Sequence, residues 1–394
     1  MRSAVSFTLV AALFAGGQAA AQTAPSSKIA AVENGLLINS TDSVRPPPQP
    51  LQSRMAALHV PGVSITVIDH GVVAWSKAYG VADSVTKTPV TTATRFQAAS
   101  ISKTIAAATA ISLVVETKID LDAPVNGVLK GWAVPASEIA PGYTPSLRAL
   151  LSHSAGLSVH GFLGYAVGQP LPTLIQVLDG APPANSEAVR IDHKPGVWSY
   201  SGGGYTVVQK LIGDVTGRPF ADIAQERVLA PVGMQLSTFT VPSSTDVTFA
   251  TAHSASGEPI PGRWHIYPEQ AAAGLWTTPS DLAKWALAVS RAAKGDGAAG
   301  VDPRVARLLL QRQSGLDTGV GGMGLGFFLN KQTSPPGFSH SGGNVGFRCD
   351  LFLNPETGQG VVIMTNSDSG TELAFEIERS VAVAYGWPGE HYGR

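Results

Sequence analysis

Residues 93–115 read ATRFQAASISKTIAAATAISLVV. The alanine-rich apolar run that follows Ser100-Ile101-Ser102-Lys103 predicts a helix of about four turns, ending near Glu116. Residues three apart share one face of a helix, so Ser100 and Lys103 would meet there. A lysine amine kept neutral by burial takes the proton of a serine hydroxyl, which makes a nucleophile without a histidine. On this segment alone a plain reading stands level with the chemical one: Ser100 as an N-cap, Lys103 as a solvated first-turn lysine. A second Ser-x-x-Lys, Ser84-Val85-Thr86-Lys87, lies in DSVTKTPVTT. That stretch reads as a loop or strand end and fixes no helical face.

The chain has 394 residues, 44% of them hydrophobic, and a formal net charge of −1. Such a chain builds one large unit or two intimate domains. Its charge balance gives no footprint for nucleic acid or for an anionic membrane surface. At the N-terminus, Met1-Arg2, the apolar AVSFTLVAALFAG and the small-residue GQAAAQTA form a signal-peptide pattern. Ala19 and Ala21 make an A-x-A site, with cleavage expected before Gln22. The apolar run is too short for a stable membrane anchor. The expectation is export, most simply to a bacterial periplasm. Cys349 is the single cysteine. It alternates with Phe347, Leu351 and Leu353 along a strand pattern and reads as a buried structural thiol.

Residues 1–21 are therefore expected as signal peptide and 22–50, ending in RPPPQP, as a polar lead-in rather than core. GVSITVIDHG and VVAWSKAYGVAD predict two strands around a hairpin at Asp69-His70-Gly71. A helix is predicted at YTVVQKLIGDVTG, stopped by Gly217-Arg218-Pro219. Another starts at Thr278 as N-cap, with Pro279 at N1 and Asp281 at the reciprocal capping-box position. GFRCDLFLN, a PETGQG turn and VVIMTN return to strand, and a helix over about Glu372–Tyr385 closes the chain. Strands at both ends with helices between predict an α+β fold. The sheet domain would take 51–95 and 285–394, and a mostly helical insertion 96–284. GVGGMGLGFF at 319–328 reads as a flexible turn entering a strand. No dinucleotide or P-loop glycine motif is present.

No HExxH, H-x-H or close Cys/His cluster occurs among the nine histidines, and His153 and His160 are poorly spaced as ligands, so no metal or other cofactor is expected. The G-x-S-x-G elbow is missing as well. Two further segments bear on Ser100. In Trp198-Ser199-Tyr200-Ser201-Gly202-Gly203-Gly204-Tyr205 a glycine-flanked turn would present the Tyr200 phenol into a cleft, and a nearby lysine would lower its pKa for proton transfer. In Phe338-Ser339-His340-Ser341-Gly342-Gly343-Asn344, glycines would let a strand edge approach a substrate and offer N–H groups to an oxyanion.

Ser-x-x-Lys, then Tyr-Ser-x, then His-x-Gly, in this order, resembles the penicillin-recognising serine hydrolases. Within them it resembles the class C β-lactamase-related group, which includes DD-peptidases, D-amino-acid peptidases and carboxylesterases. LLSHSAGL (150–157), PGVWSYSGGGY, LAPVGM (229–234), GLWTTPSDLAKW and HSGGNVGF…NPETGQGVVIMTN extend the likeness over about residues 50–390. The resemblance implies a β-lactamase/penicillin-binding-protein-like fold, an antiparallel sheet flanked by helices, with the active site in the groove beside the inserted helical domain. It implies Ser100 as acylated nucleophile, Lys103 as its proton partner, Tyr200 as general acid or base, and His340 as the group that tunes Tyr200 or binds substrate. Backbone N–H groups of Ser100 and Gly343 would form the oxyanion hole, with Ser341, Gly342 and Gly202 at the substrate.

Two departures bear on the substrate. Gly202 stands where the relatives that process β-lactams and peptides carry asparagine, and His340 where many carry lysine. A histidine is only partly charged at neutral pH. Both changes weaken the case for β-lactam or D-Ala-D-Ala processing and leave ester hydrolysis untouched. The sequence thus predicts an exported serine hydrolase acting on a small-molecule ester, with peptide, amide or β-lactam substrates as the alternative. A catalytically silent, peptidoglycan- or partner-binding relative is the reading outside the enzyme class. The oligomeric state is open.

Overall fold

The structure is a computed structural model that describes residues 26–39, 46–313, 315–319, 321–330 and 337–388. The expected signal peptide lies outside the described residues.

Alternation of apolar and polar residues in VSITVID produces β1 (Gly62–Asp69). His70 and Gly71 both adopt left-handed φ (51° and 76°), as a tight hairpin turn demands, and lead into β2 (Val72–Gly80). The other strands of this sheet come from the C-terminal third: β3 (Gly321–Met323), β4 (Phe328–Asn330), β5 (Phe338–Asn344), β6 (Phe347–Asn354) and β7 (Gln359–Thr365). They assemble in the order β2-β1-β7-β6-β5-β4-β3, antiparallel throughout. The two ends of the chain meet inside this sheet, where Val63 pairs with Thr365 and Ile68 with Gly360.

In chain order, the helices that place the site are α1 (Ser26–Asn34), α2 (Ser102–Val115), α3 (Gly202–Thr216), α4 (Gln270–Ala273), α5 (Pro279–Ala293) and α6 (Gly370–Ala384). One sheet face, with Val63, Ile65, Val67, Val361 and Ile363, is covered by α6 and α1. The opposite face, with Leu351, Leu353, Val362 and Met364, joins the larger core that includes α5 and the helical part of the chain. Residues 102–111 of α2 are buried without exception. The alanines make this possible, because small side chains let neighbouring backbones close in from every side. This architecture is the α+β sheet-and-helix fold expected from the strand and helix order.

Several local expectations differ. Part of the 22–50 stretch is core: α1 forms, and Val32, Leu36 and Ile38 are buried, since the sheet's outer face needs an apolar cover beyond α6. Thr278 caps α5 by accepting from Asp281 N (3.2 Å), but the Asp281 carboxylate does not return the bond. It accepts instead from Leu236 N and Ser237 Oγ, at 2.8 and 2.9 Å. α5 lies along the sheet from its start at Pro279, ahead of the changeover expected at 284/285. Within 319–328 the structure has strand β3 and the first residue of β4, and Gly326 (φ 96°) is held by a close approach: a Cβ there would sit 2.7 Å from the Ala107 Cβ of α2.

An ion pair locks α6 to the N-terminal part of the chain. Glu376 is fully buried and accepts from Arg54 Nε and Nη2 at 2.9 and 2.7 Å, and from Asn39 N at 3.1 Å. Arg54→Ala strands that carboxylate without its cation, and the expected loss is about 3 kcal/mol of stability. Urea unfolding of the variant beside wild type checks the value, and activity per folded molecule should not change.

Candidate active site

Ser100 occupies the 3-10 turn Ala99–Ile101 that leads into α2. The turn is fixed from several sides. Ala98 N donates to Leu275 O (2.8 Å), Leu275 N donates to Ser102 Oγ (3.0 Å), and the Cys349 thiol donates to Ala98 O (3.1 Å). Ala99 carries a left-handed φ of 47°, a conformation that costs a residue with a Cβ about 1 kcal/mol. The N-cap position falls on Ile101, with no side-chain cap, so the Ser100 hydroxyl is not spent on the helix end. Cys349 is buried and its thiol is pushed up by burial, which leaves it inert beneath the turn.

Lys103 lies one turn on, 2% exposed, with Nζ 3.0 Å from Ser100 Oγ and donating to Ala272 O of α4 at 2.8 Å. Burial brings its amine down from 10.5 to about 7, with no carboxylate partner among the described residues to hold the charge. Near neutral pH a large share of this lysine is therefore a free base.

Tyr200 immediately precedes the N-cap of α3, Ser201, whose Oγ accepts from Gly204 N (2.9 Å) and donates to Ser158 O (2.7 Å). The phenol lines the cleft beside Ser100, and its ring centroid is 5.1 Å from Lys103 Nζ. Burial raises its pKa well above 10, against the fall expected beside a lysine. Desolvation of the phenolate outweighs an amine that is itself half-neutral, so Tyr200 is a proton-bearing phenol.

His340 lies on the inner face of β5 with Gly342 and Asn344. Its Nδ1–H donates to Ser341 O (2.6 Å), and Nε2 is buried without a partner among the described residues. Burial first, and the Lys103 charge second, push its pKa down to about 3. The partial charge expected of this histidine is absent: the imidazole is neutral across the working range. Gly342 is required where it stands, because a Cβ there would collide with Ala98 O, two residues before Ser100.

These groups converge on one cleft of about 380 Å³, which Ser100, Lys103, Tyr200, His340, Ser341, Gly342 and Gly343 all line. Phe162, Trp198 and Phe328 add aromatic walls, and His160, Ala272 and Asn344 complete much of the rim. Gly202 does not line it. A Cβ at 202 would lie 3.0 Å from Phe162 Cε2 and 3.1 Å from His160 O, so the 160–162 loop fills the space a side chain there would use. Among the described residues no group of three or more His, Cys, Asp or Glu is arranged to hold a metal. No described helix is long and apolar enough to cross a membrane.

A serine beside a buried neutral amine and a phenol, on an antiparallel sheet with an adjoining helical part, defines a class of serine hydrolase. Comparison with known proteins agrees: the beta-lactamase family profile matches residues 49–385, and the chain belongs to that family. It is 28% identical over 346 residues to penicillin-binding protein 4 of Amycolatopsis lactamdurans, covering 84% of this chain and 88% of that one. It is 26% identical over 337 residues to a D-aminopeptidase of Brucella anthropi, across 80% of this chain but 58% of the relative. Among solved structures, the octameric penicillin-binding protein homologue from Pyrococcus abyssi superposes with a TM-score of 0.69 at 26% identity, covering 86% and 77% of the two chains. D-alanine carboxypeptidase AmpC from Burkholderia cenocepacia, at 18% identity, shares the fold with a TM-score of 0.66 over 85% and 96%.

Sequence reasoning missed the Ala272 carbonyl, Phe162 and Phe328, which carry no motif, and gave His153 no part in the site beyond the LLSHSAGL likeness. The second Ser-x-x-Lys lies outside the cleft: Ser84 Oγ bonds His253 Nε2 (3.1 Å), whose Nδ1–H donates to Asn366 O (2.9 Å).

Three outcomes follow from this geometry. The kcat/KM profile should rise with pH through about 7, as Lys103 loses its proton, and level above it. The native pKa lies below the unfolded one, so between about 7 and 10.5 the unfolded chain binds more protons and stability climbs with pH. Lys103→Met should therefore be inactive yet gain most in stability over wild type below about pH 7, as thermal melts across pH would record. Ser84→Ala should keep full activity and lose about 1 kcal/mol, one hydrogen bond's worth, in denaturant unfolding.

Proposed function

We propose that this chain hydrolyses small, uncharged carboxylic esters through an acyl-Ser100 intermediate. The observation that carries the reading is a neutral amine 3.0 Å from Ser100 Oγ, in a cleft whose lining includes no Asp, Glu or Arg among the described residues. A substrate carboxylate would find no fixed cation there, and a free α-amine no carboxylate. Arg348, behind Gly343, already donates to Asn344 O and Phe347 O and pairs with Asp368. Aromatic walls favour an apolar acyl or alkoxy group.

In the proposed chemistry Lys103 Nζ takes the Ser100 proton as Oγ bonds the ester carbon. The developing oxyanion is held by the Ser100 and Gly343 N–H groups. When the intermediate collapses, the ester C–O bond breaks and Tyr200 gives its phenolic proton to the departing alkoxide; the Lys103 ammonium then reprotonates Tyr200. Water repeats the sequence on the acyl-enzyme, its proton passing to the same groups, and frees the acid. His340 stays neutral, with Nε2 turned to acceptor by the Nδ1–H bond to Ser341 O. In this reading the apolar N-terminal run is a signal peptide removed before Gln22 on export, and N-terminal sequencing of the secreted protein checks it.

Intact-mass spectrometry and turnover with p-nitrophenyl butyrate, a fluorophosphonate, a penicillin and D-alanine p-nitroanilide test the assignment, with Ser100→Ala beside wild type. Expected are a fluorophosphonate adduct and ester turnover that both vanish in the variant, with neither a penicillin adduct nor anilide hydrolysis. A Ser100-dependent penicillin adduct or anilide turnover with slow esters would instead match the activities for which the relatives are named. No Ser100-dependent adduct at all would point to a binding protein.

A further inference from the structure

The ring packed most closely on Tyr200 belongs to His153, which follows the short helix Leu147–Leu151. Three features set it apart from a packing residue. First, it brackets Tyr200 along the chain: His153 O accepts from Ser199 N (2.8 Å) and His153 Nδ1 accepts from Ser201 N (3.1 Å). Second, its ring stacks on the phenol with centroids 4.2 Å apart and planes at 29°, and it also lies 5.3 Å from Tyr205. Third, it is held in a left-handed conformation (φ 57°), which a residue with a side chain adopts only when its surroundings impose it.

Accepting at Nδ1 leaves the proton on Nε2, and Nε2 is buried with no hydrogen-bond partner among the described residues. A histidine present merely to satisfy a polar pocket would not leave one ring nitrogen unpaired at 2% exposure. A phenylalanine would pack the same space without that cost, but would offer Ser201 N–H no acceptor. His153 is absent from the cleft lining, so it reaches the substrate only through Tyr200.

We propose that His153 is the positioning residue for Tyr200: its carbonyl and Nδ1 clamp the backbone on either side of the tyrosine, and its ring sets the plane in which the phenol meets Ser100. This inference rests on the proton-relay role given to Tyr200 above. Displacing a reacting group by about 1 Å costs on the order of 10²-fold in rate. A loss of that size is expected in kcat, with KM nearly unchanged.

The test is a double-mutant cycle in the full chain with His153→Phe, His153→Asn and Tyr200→Phe, using p-nitrophenyl butyrate and rates normalised to fluorophosphonate-reactive sites. His153→Phe keeps the stack and loses the acceptor, and should lower kcat about 10²-fold. His153→Asn, whose Oδ1 replaces Nδ1, should recover most of that loss. In the Tyr200→Phe background His153→Phe should add little, because both changes act on one group. Wild-type kcat in His153→Phe, equal losses in the Phe and Asn variants, or full additivity with Tyr200→Phe would each overturn the proposal. Tyr200→Phe at the wild-type rate would remove the relay and this inference with it, while the Ser100 adduct would still judge the hydrolase reading separately. The ¹⁵N spectrum of histidine-labelled wild type decides even where a variant does not fold: Nδ1 unprotonated and Nε2 protonated is expected for His153, and the reverse tautomer overturns the clamp.

Discussion

The interaction on which the rest of the structure depends is the burial of one amine without a counter-ion. Lys103 is held by a serine oxygen and a backbone carbonyl and, among the described residues, by no carboxylate, and burial takes its pKa down to about 7. A salt bridge there would keep it charged. Burial of this kind needs a helix enclosed on all sides, and the alanines of α2 allow α3 and α4 to close over it. It also dictates the neighbours: His340 and His153 are neutral through burial and through the Lys103 charge, so the site avoids stacking cations in a dry interior.

The same economy of charge shapes the cleft. Among the described residues that line it there is no acidic or arginine side chain, and Phe162, Trp198 and Phe328 supply aromatic faces. Gly202 belongs to this arrangement. The 160–162 loop sits where a residue-202 side chain would project, so Phe162 lines the cleft in its place. Relatives named for penicillin binding or D-aminopeptidase activity share the family with this chain. The identity of the groups around the shared core, more than the core itself, separates one substrate class from another.

Much of this was legible from residues alone. The hairpin at His70-Gly71, the helix after Ser100, the Gly217 stop and the C-terminal strand pair all rest on local rules, and local rules survive packing. The misreadings share one cause. Residues 26–38 looked like a lead-in because their polar composition hides three buried side chains that only the sheet's open face calls in. Asp281 left its capping box because Leu236 N and Ser237 Oγ, distant in sequence, are better partners. Tyr200 and His340 shifted opposite to, or further than, expectation because burial outranks any neighbour a motif reveals.

By itself, the sequence determined the family, the order of strands and helices, and the serine, lysine, tyrosine and histidine that meet in the cleft. Spacing of three was enough to pair Ser100 with Lys103, since residues three apart come together over a single helical turn, 3-10 or α. Tertiary structure alone decided the protonation states, the carbonyl of Ala272 as the amine's second partner, the loop over Gly202 and the clamp on Tyr200. Each of these joins segments tens to hundreds of residues apart, and each turns on how completely water is excluded, which no local pattern of residues encodes.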